Sequence, residues 1–323
     1  MSIKVGIIGG AGYTAGELIR LLINHPSVSI QFIHSSSNAG NKITDIHAGL
    51  IGETDLVFSD NHPFNEIDAL FMCSAHGDSR KFLESNPLPS HVKVIDLSTD
   101  YRHKENANGF VYGLPEINKA EIQKANYIAN PGCFATAIQL ALLPLASKGL
   151  LKDEIHVNAI TGSTGAGVKP ATTTHFSWRD NNISIYKPFE HQHLKEITES
   201  LVQLQPDMDV PVNFIPVRGN FSRGIFASVY TNCDLTLEEA KKLYQDFYKG
   251  AAFTFITDKN PDMKQAVNTN KCILYLEKHD NKIMIISMID NLLKGASGQA
   301  VQNFNLVFGL DEKEGLHLKP SAF

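Results

Sequence analysis

The sequence predicts a two-domain α/β protein in which a parallel sheet comes first and a mixed or antiparallel sheet follows. Three observations support this. The 323 residues are enough for two domains at about 100–200 residues each. In the first third, short apolar runs alternate with helical patterns, as βαβ units require; the runs are 3–8, 28–33, 69–73 and 92–97. Later apolar runs indicate a second, α+β domain ending in an antiparallel hairpin; they are 155–160, 224–230, 272–276 and 283–289.

Local signals refine the second half and the domain boundary. Thr236 and Glu239 form a capping box that opens a helix, and the run 296–308 has the pattern of an amphipathic helix. No Pro/Gly/Ser-rich linker separates the halves. We expect residues 1–132, joined by a returning C-terminal segment 296–323, to form the first domain and 133–295 the second. A cleft between two packed domains is the expected site.

Composition excludes several classes of protein. The chain has 29 basic and 34 acidic residues, a net charge of −5, which argues against a nucleic-acid or anionic-membrane partner. No apolar stretch approaches the ~18 residues of a membrane span. The N-terminus has the pattern of a buried strand and lacks that of a signal peptide. The four cysteines are too scattered for a zinc ribbon or a disulfide scaffold, which favours a reducing cytoplasm; they are Cys73, Cys133, Cys233 and Cys272.

A glycine-rich turn follows the first strand and opens a helix. Its small residues let the backbone approach a pyrophosphate, and the helix N-terminus offers unpaired N–H groups. This pattern predicts a Rossmann-type dinucleotide-binding domain whose contacts are Gly9, Gly12, Tyr13, Thr14 and Ala15. The alternative is a glycine-rich turn without a ligand.

The second strand indicates which dinucleotide is bound. It ends at His34-Ser35-Ser36-Ser37 without the acidic residue that binds the ribose of NAD. The hydroxyls of Ser35 and Ser37 are instead suited to a 2′-phosphate, so the sequence favours NADP.

Cys133 is the most informative residue. Pro131 and Gly132 force a turn, and apolar residues then recur at helical spacing from Phe134 to Leu145. Cys133 is therefore expected in the first turn of a helix, where the dipole lowers the pKa of a thiol and raises its reactivity. Free cysteines are more often buried hydrophobes, and that interpretation suits Cys73, Cys233 and Cys272.

The segment around Cys133 resembles the N-acetyl-γ-glutamyl-phosphate reductase family of arginine biosynthesis. The family pattern, small-x-Pro-Gly-Cys-aromatic-x-Thr-small, matches 129–137. Further segments extend the resemblance over nearly the whole chain: 9–16, 96–102, 112–116, 162–167 and 290–300. The chain departs from the family pattern at two places. The family usually has His-Arg-His where this chain has His191-Gln192-His193, and it usually has Pro-His-Gly where this chain has Ala-His-Gly at 75–77.

The resemblance implies a reaction and a set of site residues. An acyl phosphate is attacked by the Cys133 thiolate, and the thioester is reduced to an aldehyde by NADPH. His193 is implied as acid/base, with Glu196 orienting it or sharing its proton. The resemblance places Ser163, Gly165 and Asn291 beside the nicotinamide. The residues that it suggests for substrate binding are Arg102, Glu116 and His191, with Arg218 and Arg223 as weaker candidates.

Several alternatives remain open at this stage. His191-x-His193 is also a metal-site pattern, but no third ligand at metal spacing is evident, so no metal is expected. The loop 162–167 is either a backbone anion-binding nest or an ordinary turn. The acyl group is either acetyl or succinyl. Aspartate-semialdehyde dehydrogenase and a catalytically silent NADP-binding regulator are the rival functions. Exposed hairpin edges would suit a homodimer or homotetramer.

Overall fold

The computed structural model describes residues 2–321. They form two compact units. The first contains the chain up to Pro131 and the segment Ala296–His317; the second contains Gly132–Gly295 and the chain from Leu318 onward. Met1, Ala322 and Phe323, which belong to the predicted first domain, lie outside the described residues.

The first unit is built on a six-stranded, entirely parallel sheet of order β2-β1-β3-β4-β6-β5. Its strands are β1 Ile3–Ile8, β2 Val28–His34, β3 Ala69–Met72, β4 Lys93–Asp96, β5 Val111–Tyr112 and β6 Tyr127–Ala129. Its first four helices are α1 Tyr13–Leu22, α2 Ile43–Ile46, α3 Asp78–Ser85 and α4 Pro115–Lys124. All four residues of β3 are buried, as expected of a strand covered on both faces. The prediction of a Rossmann-type parallel sheet is confirmed.

The second unit contains a seven-stranded mixed sheet of order β11-β12-β13-β10-β7-β9-β8. The strands are β7 Ile155–Thr161, β8 Ser184–Ile185, β9 Val212–Arg218, β10 Ile225–Asn232, β11 Thr254–Thr257, β12 Cys272–His279 and β13 Lys282–Ile289. The helices are α5 Cys133–Ala146, α6 Phe176–Arg179, α7 His193–Leu204 and α8 Leu237–Phe247. The predicted α+β domain is therefore confirmed, and its sheet is mixed because β7 pairs with β9, and β11 with β12, in parallel.

Two expectations about the second unit have different outcomes. The capping box of α8 is present, with Thr236 Oγ1 accepting from the Glu239 N–H. The expectation of exposed hairpin edges is wrong. β12 and β13 do form an antiparallel hairpin, but β11 and β10 flank them, so the edges of the sheet are β8 and β11.

The helix predicted within 296–308 is present, but it lacks the solvent-facing side expected of an amphipathic helix. A π-helical turn Leu293–Ser297 leads into α9 Gly298–Val307, and every residue of α9 is buried. Its polar side chains form hydrogen bonds inside the first unit. Asn303 donates to Gly113 O and Asn130 Oδ1, and Asn305 donates to the carbonyls of Glu312 and Glu314. The polar residues of α9 therefore gave the sequence an amphipathic pattern, although they are buried and hydrogen-bonded in the structure. Within residues 2–321, no helix is long and apolar enough to cross a membrane.

Candidate active site

Cys133 occupies the first position of the 14-residue helix α5, with Gly132 as the N-cap. Pro131 and Gly132 place the chain in an extended conformation immediately before it, with Gly132 at φ −74° and ψ 152°. The first intrahelical bond of α5 runs from Thr136 N to Gly132 O, at 2.8 Å. The side chain is partly exposed. The predicted helix-start position is confirmed, and it puts the sulfur at the positive end of the helix dipole.

A buried carboxylate supports the turn before Cys133. Glu196, in the first turn of α7, is 2% exposed, and its Oε1 accepts the Gly132 N–H at 2.7 Å. Gln139 links the same two helices by donating to Glu196 O and Ser200 Oγ. The segment is helical, so His193 and Glu196 share a helix face. The carboxylate contacts the Cys133 turn directly, a contact that the sequence did not suggest.

His191 and His193 are both buried beside the same turn. Their ring centroids are 4.6 Å apart, and Phe134, the residue after Cys133, packs edge-on against both. The backbone N–H of His193 donates to the ring Nδ1 of His191 at 3.2 Å. Because Nδ1 is the acceptor, the neutral His191 ring carries its proton on Nε2. Burial, and then the charges of Lys187 and Arg218, lower the pKa of His191 to about 4. His191 is therefore a neutral hydrogen-bond donor at physiological pH.

Sequence reasoning missed Tyr186, a half-buried tyrosine close to these histidines. Its ring lies 5.8 Å from the His191 ring, and the Arg218 Cζ stands 4.7 Å above the tyrosine ring. Burial, and then the nearby charge of Cys133, raise the pKa of Tyr186, so its hydroxyl stays protonated. A single tyrosine in an irregular segment gives no sequence signal of such a role.

The second glycine-rich loop has its amides already paired. Gly162 N, Ser163 N and Thr164 N donate to the carbonyls of Gly224, Phe221 and Ser222 at 2.9, 2.8 and 3.1 Å. A Cβ on Gly162 would lie 2.4 Å from Ser222 O, so this close approach requires glycine. The interpretation of the loop as an anion-binding nest is therefore wrong, because its successive N–H groups face protein carbonyls.

Asn291 joins this loop to the neighbouring turn. Its Oδ1 accepts from Gly224 N at 2.7 Å and its Nδ2 donates to Thr164 Oγ1 at 3.0 Å. Both polar atoms of an amide predicted to face the nicotinamide thus have partners inside the second unit.

The π-helical turn after Asn291 packs against Cys133. A Cβ on Gly295 would lie 2.7 Å from Cys133 Cβ. Asp290 fixes that turn, since its carbonyl accepts from Gly295 N and its buried carboxylate accepts from Leu292 N and Leu293 N. Arg223 completes the arrangement with two hydrogen bonds to the Asp290 carboxylate, at 3.0 and 3.1 Å.

In the first unit, the first glycine turn has the geometry of a dinucleotide site. Gly9 has φ +80°, and a Cβ there would lie 2.7 Å from Cys73 O. Gly12 is the N-cap of α1, and a Cβ on it would meet only Gly9 O, at 3.9 Å. The first intrahelical bond of α1 runs from Gly16 N to Gly12 O. The backbone N–H groups of Tyr13 to Ala15 come before it and therefore have no acceptor within the helix. Backbone donors and open space therefore coincide, so these residues fit a pyrophosphate.

Ser35 and Ser37 follow the end of β2, as the sequence suggested. Asn38 Nδ2 donates to both hydroxyl oxygens, at 3.0 Å each, and Ser37 is exposed. Ser35 is buried, so the hydroxyl accessible to an incoming oxyanion is that of Ser37.

The other predicted polar residues of the first unit lie in different settings. Arg102 is buried and donates to the carbonyls of Asn130 and Leu97, both at 2.8 Å. Glu116 is half-buried in the first turn of α4. Burial raises the pKa of the Cys73 thiol to about 12, in agreement with a structural role. Among residues 2–321, no three His, Cys, Asp or Glu side chains are grouped to hold a metal ion.

Comparison with known proteins identifies the two units. The family model described as "Semialdehyde dehydrogenase, NAD binding domain" matches residues 4–125, and "Semialdehyde dehydrogenase, dimerisation domain" matches residues 133–291. Two solved aspartate-semialdehyde dehydrogenases share the fold. One, from Vibrio cholerae, has a TM-score of 0.72 at 17% identity and covers 96% of this chain and 99% of its own. The other, from Candida albicans with NADP, has a TM-score of 0.72 at 14% identity and covers 95% and 99%.

Much closer relatives exist at the level of sequence. Proteins named N-acetyl-gamma-glutamyl-phosphate reductase are 70% identical in Azobacteroides pseudotrichonymphae, 66% in Parabacteroides distasonis and 62% in Bacteroides thetaiotaomicron. Each alignment covers 99% of this chain and 100% of the relative. The resemblance inferred from the Cys133 segment is thereby confirmed, and the chain belongs to the N-acetyl-γ-glutamyl-phosphate reductase family.

Proposed function

We propose that this chain reduces N-acetyl-γ-glutamyl phosphate to N-acetylglutamate 5-semialdehyde, with release of phosphate, in arginine biosynthesis. The observation that carries the proposal is the partly exposed Cys133 at the start of α5, with its turn held by Glu196. The names of the relatives support the same substrate. Because a nucleophilic thiol must stay reduced, we also propose a cytoplasmic location.

The first half of the reaction is acyl transfer to Cys133. His193 accepts the thiol proton, the thiolate attacks the acyl carbon, and the carbon–oxygen bond to phosphate breaks. The departing phosphate takes its electron pair and the proton that His193 holds. First-turn amides of α5 are the donors for the negative carbonyl oxygen, since they precede the Thr136 N to Gly132 O bond.

The second half converts the thioester into the aldehyde. NADPH supplies a hydride to the thioester carbon when bound. The resulting thiohemiacetal oxyanion re-forms its carbonyl, the carbon–sulfur bond breaks, and a proton from solvent restores the thiol. Glu196 acts as a positioning residue through Gly132. The His191 Nε2–H, held in one tautomer by His193 N, is suited to donate to the substrate.

We propose His193 as the acid/base because His191 is neutral and its Nδ1 is already occupied. A general acid/base typically raises the rate by ~10²–10⁴-fold, and it is most effective when its pKa lies near the working pH. His193→Asn should therefore slow turnover by that factor and remove the acidic limb of the pH–rate profile. His191→Asn should keep that limb; the reverse pattern would assign the role to His191.

The proposed cofactor is NADP, held by the turn from Gly9 to Ala15 and by the hydroxyls of Ser35 and Ser37. The turn supplies backbone donors to the pyrophosphate, and no carboxylate ends β2 to repel a 2′-phosphate. We retain Ser163, Gly165 and Asn291 on the nicotinamide side, and Arg102 and Glu116 as substrate residues, on the strength of the family resemblance.

We propose that the chain forms a homodimer or homotetramer through the second unit. The family model for that part is described as a dimerisation domain. Large apolar side chains are exposed around the edge strand β8, including Phe176, Ile183, Ile185 and Phe189 at 77%, 63%, 61% and 57%. Sedimentation velocity that found only monomer at micromolar concentration would contradict this.

The test of the function is the reverse reaction. The enzyme receives N-acetylglutamate semialdehyde, phosphate and NADP, and the absorbance of reduced cofactor is followed. Cys133→Ser should keep its fold and cofactor affinity yet lose at least about 10³-fold in kcat, because nucleophile and partners act as a unit. Retention of a tenth of the activity would refute the assignment. Parallel assays with N-succinylglutamate semialdehyde and with aspartate semialdehyde distinguish the rival substrates. If none of the three semialdehydes is turned over, the result favours a catalytically silent NADP-binding regulator.

A further inference from the structure

Arg218 differs from the other arginines in how its charge is used. The chain has six arginines, and five direct their guanidinium groups at protein oxygens. Arg20 and Arg223 pair with Glu17 and Asp290, and the others donate to main-chain carbonyls; these are Arg80, Arg102 and Arg179. Within residues 2–321, Arg218 forms no ion pair with an acidic side chain.

The strand that carries Arg218 aims it at the Cys133 side of the sheet. Side chains alternate along a strand, so Phe214, Pro216 and Arg218 share one face of β9. Phe214 packs on the rings of Phe134 and His191, with centroids 5.1 and 5.3 Å away. Arg218 is the last residue of β9, at its carboxyl end, where α/β sheets commonly bind ligands.

The backbone of Arg218 is fixed on both sides. It pairs with Thr161 of β7 and with Ser184 of β8, and its carbonyl accepts from Arg179 Nη1 at 2.7 Å. The side chain therefore rises from a rigid position, which favours a pre-organised binding group.

Tyr186 holds the guanidinium in a defined orientation. The Arg218 Cζ lies over the Tyr186 ring, 4.7 Å from its centre, in a cation–π contact. Stacking occupies the face of a guanidinium and leaves N–H groups on its edge, and such a planar fork binds carboxylate or phosphate with two bonds.

We propose that Arg218 binds an oxyanion of the substrate, either its acyl phosphate or a carboxylate. The proposal rests on the proposed function for the identity of the substrate. Its location agrees with two electrostatic effects, since the Arg218 charge acts on His191 and Tyr186 is influenced by Cys133.

The reverse reaction separates the two sources of the oxyanion, because phosphate and the semialdehyde are then independent substrates. Arg218→Met should raise the KM of one of them by ~10–100-fold, the range expected for lost hydrogen bonds to a charged group, with a smaller change in kcat. Arg218→Lys keeps the positive charge but lacks the planar guanidinium, so its KM should lie between those of wild type and Arg218→Met. Lys242→Met, an exposed cation 75% accessible on α8, is the control and should match wild type.

A binding measurement makes the result independent of turnover. Iodoacetamide alkylates Cys133, and inorganic phosphate or N-acetylglutamate should slow that alkylation in wild type. The protection by one of the two should disappear in Arg218→Met. If Arg218→Met keeps both KM values within twofold and keeps both protections, the proposal is overturned. If wild type fails the reverse assay but shows protection that Arg218→Met loses, the proposed function fails and the oxyanion site stands.

Discussion

The two glycine-rich loops of this molecule look alike in sequence and differ in what their amides do. Both follow a strand and lead into a helical turn. At the first loop, the first-turn amides of α1 come before the first intrahelical bond, and a Cβ on Gly12 would meet only Gly9 O, at 3.9 Å. At the second, the amides of 162–164 are paired with carbonyls of 221–224. Glycines thus permit close approach in both loops, but the space beside the first loop is open, whereas protein backbone fills the space beside the second.

The largest expected effect concerns the second loop. Gly162→Ala places a Cβ 2.4 Å from Ser222 O, so loop and turn must separate next to Asn291. We expect kcat to fall at least ~100-fold, because small displacements near the reacting groups have large effects. The NADPH dissociation constant, measured by fluorescence titration, should stay within about threefold.

Thr164→Val is the milder companion for that experiment. It removes the hydroxyl that accepts from Asn291 and donates to Ser222 O, without a clash. A smaller kcat loss with unchanged NADPH affinity is expected. If either variant weakens NADPH binding as strongly as it slows turnover, the backbone pairing of the second loop determines cofactor affinity and the contrast between the two loops is wrong.

An intermediate effect is expected at the first loop. Gly12 has φ −81°, and a Cβ there would meet only Gly9 O, at 3.9 Å. We therefore expect Gly12→Ala to fold normally. The added methyl group occupies the space proposed for the pyrophosphate. We expect NADPH affinity to fall ~10–100-fold at an unchanged melting temperature. Gly49→Ala, which has open space around it, is the control. Unchanged affinity in Gly12→Ala would remove the first loop from the cofactor site.

The smallest expected effect concerns the phosphate that distinguishes the two nicotinamide dinucleotides. Ser37→Asp puts a carboxylate after β2, where it repels a 2′-phosphate and suits a free ribose hydroxyl. The ratio of kcat/KM for NADPH over NADH should fall by about tenfold, whereas Ser36→Ala should leave it unchanged. Equal kcat/KM values for both cofactors in wild type would contradict the assignment.

The features that the sequence predicted are local ones. The βαβ alternation depends on apolar runs, and the position of Cys133 depends on Pro131 and Gly132 directly before it. The partners of the 162–167 loop lie almost sixty residues away, and no spacing rule links them. The buried helix α9 misled for a related reason, because Asn303 is satisfied by the carbonyl of Gly113, 190 residues away along the chain.

The strand around Arg218 carried a further signal, although the sequence indicated this residue only as a weaker candidate. β9 reads Val212-Asn213-Phe214-Ile215-Pro216-Val217-Arg218, and an arginine on the same face as a buried Phe214 is unusual for a solvated charge. Tyr186 had none. Its position follows from the short strand β8 and the rings packed on it.

Helix α9 sets the order in which the first unit is completed during synthesis. Phe304 packs on Phe71 at 5.6 Å, and Asn303 donates to Gly113 O, so the sheet made from the first 131 residues needs a helix that is translated after residues 132–295. On the ribosome the N-terminal sheet therefore waits for nearly the whole second unit with the faces of Phe71 and β4 uncovered. The N-terminal half of this chain is expected to depend on chaperones longer than its position in the sequence suggests.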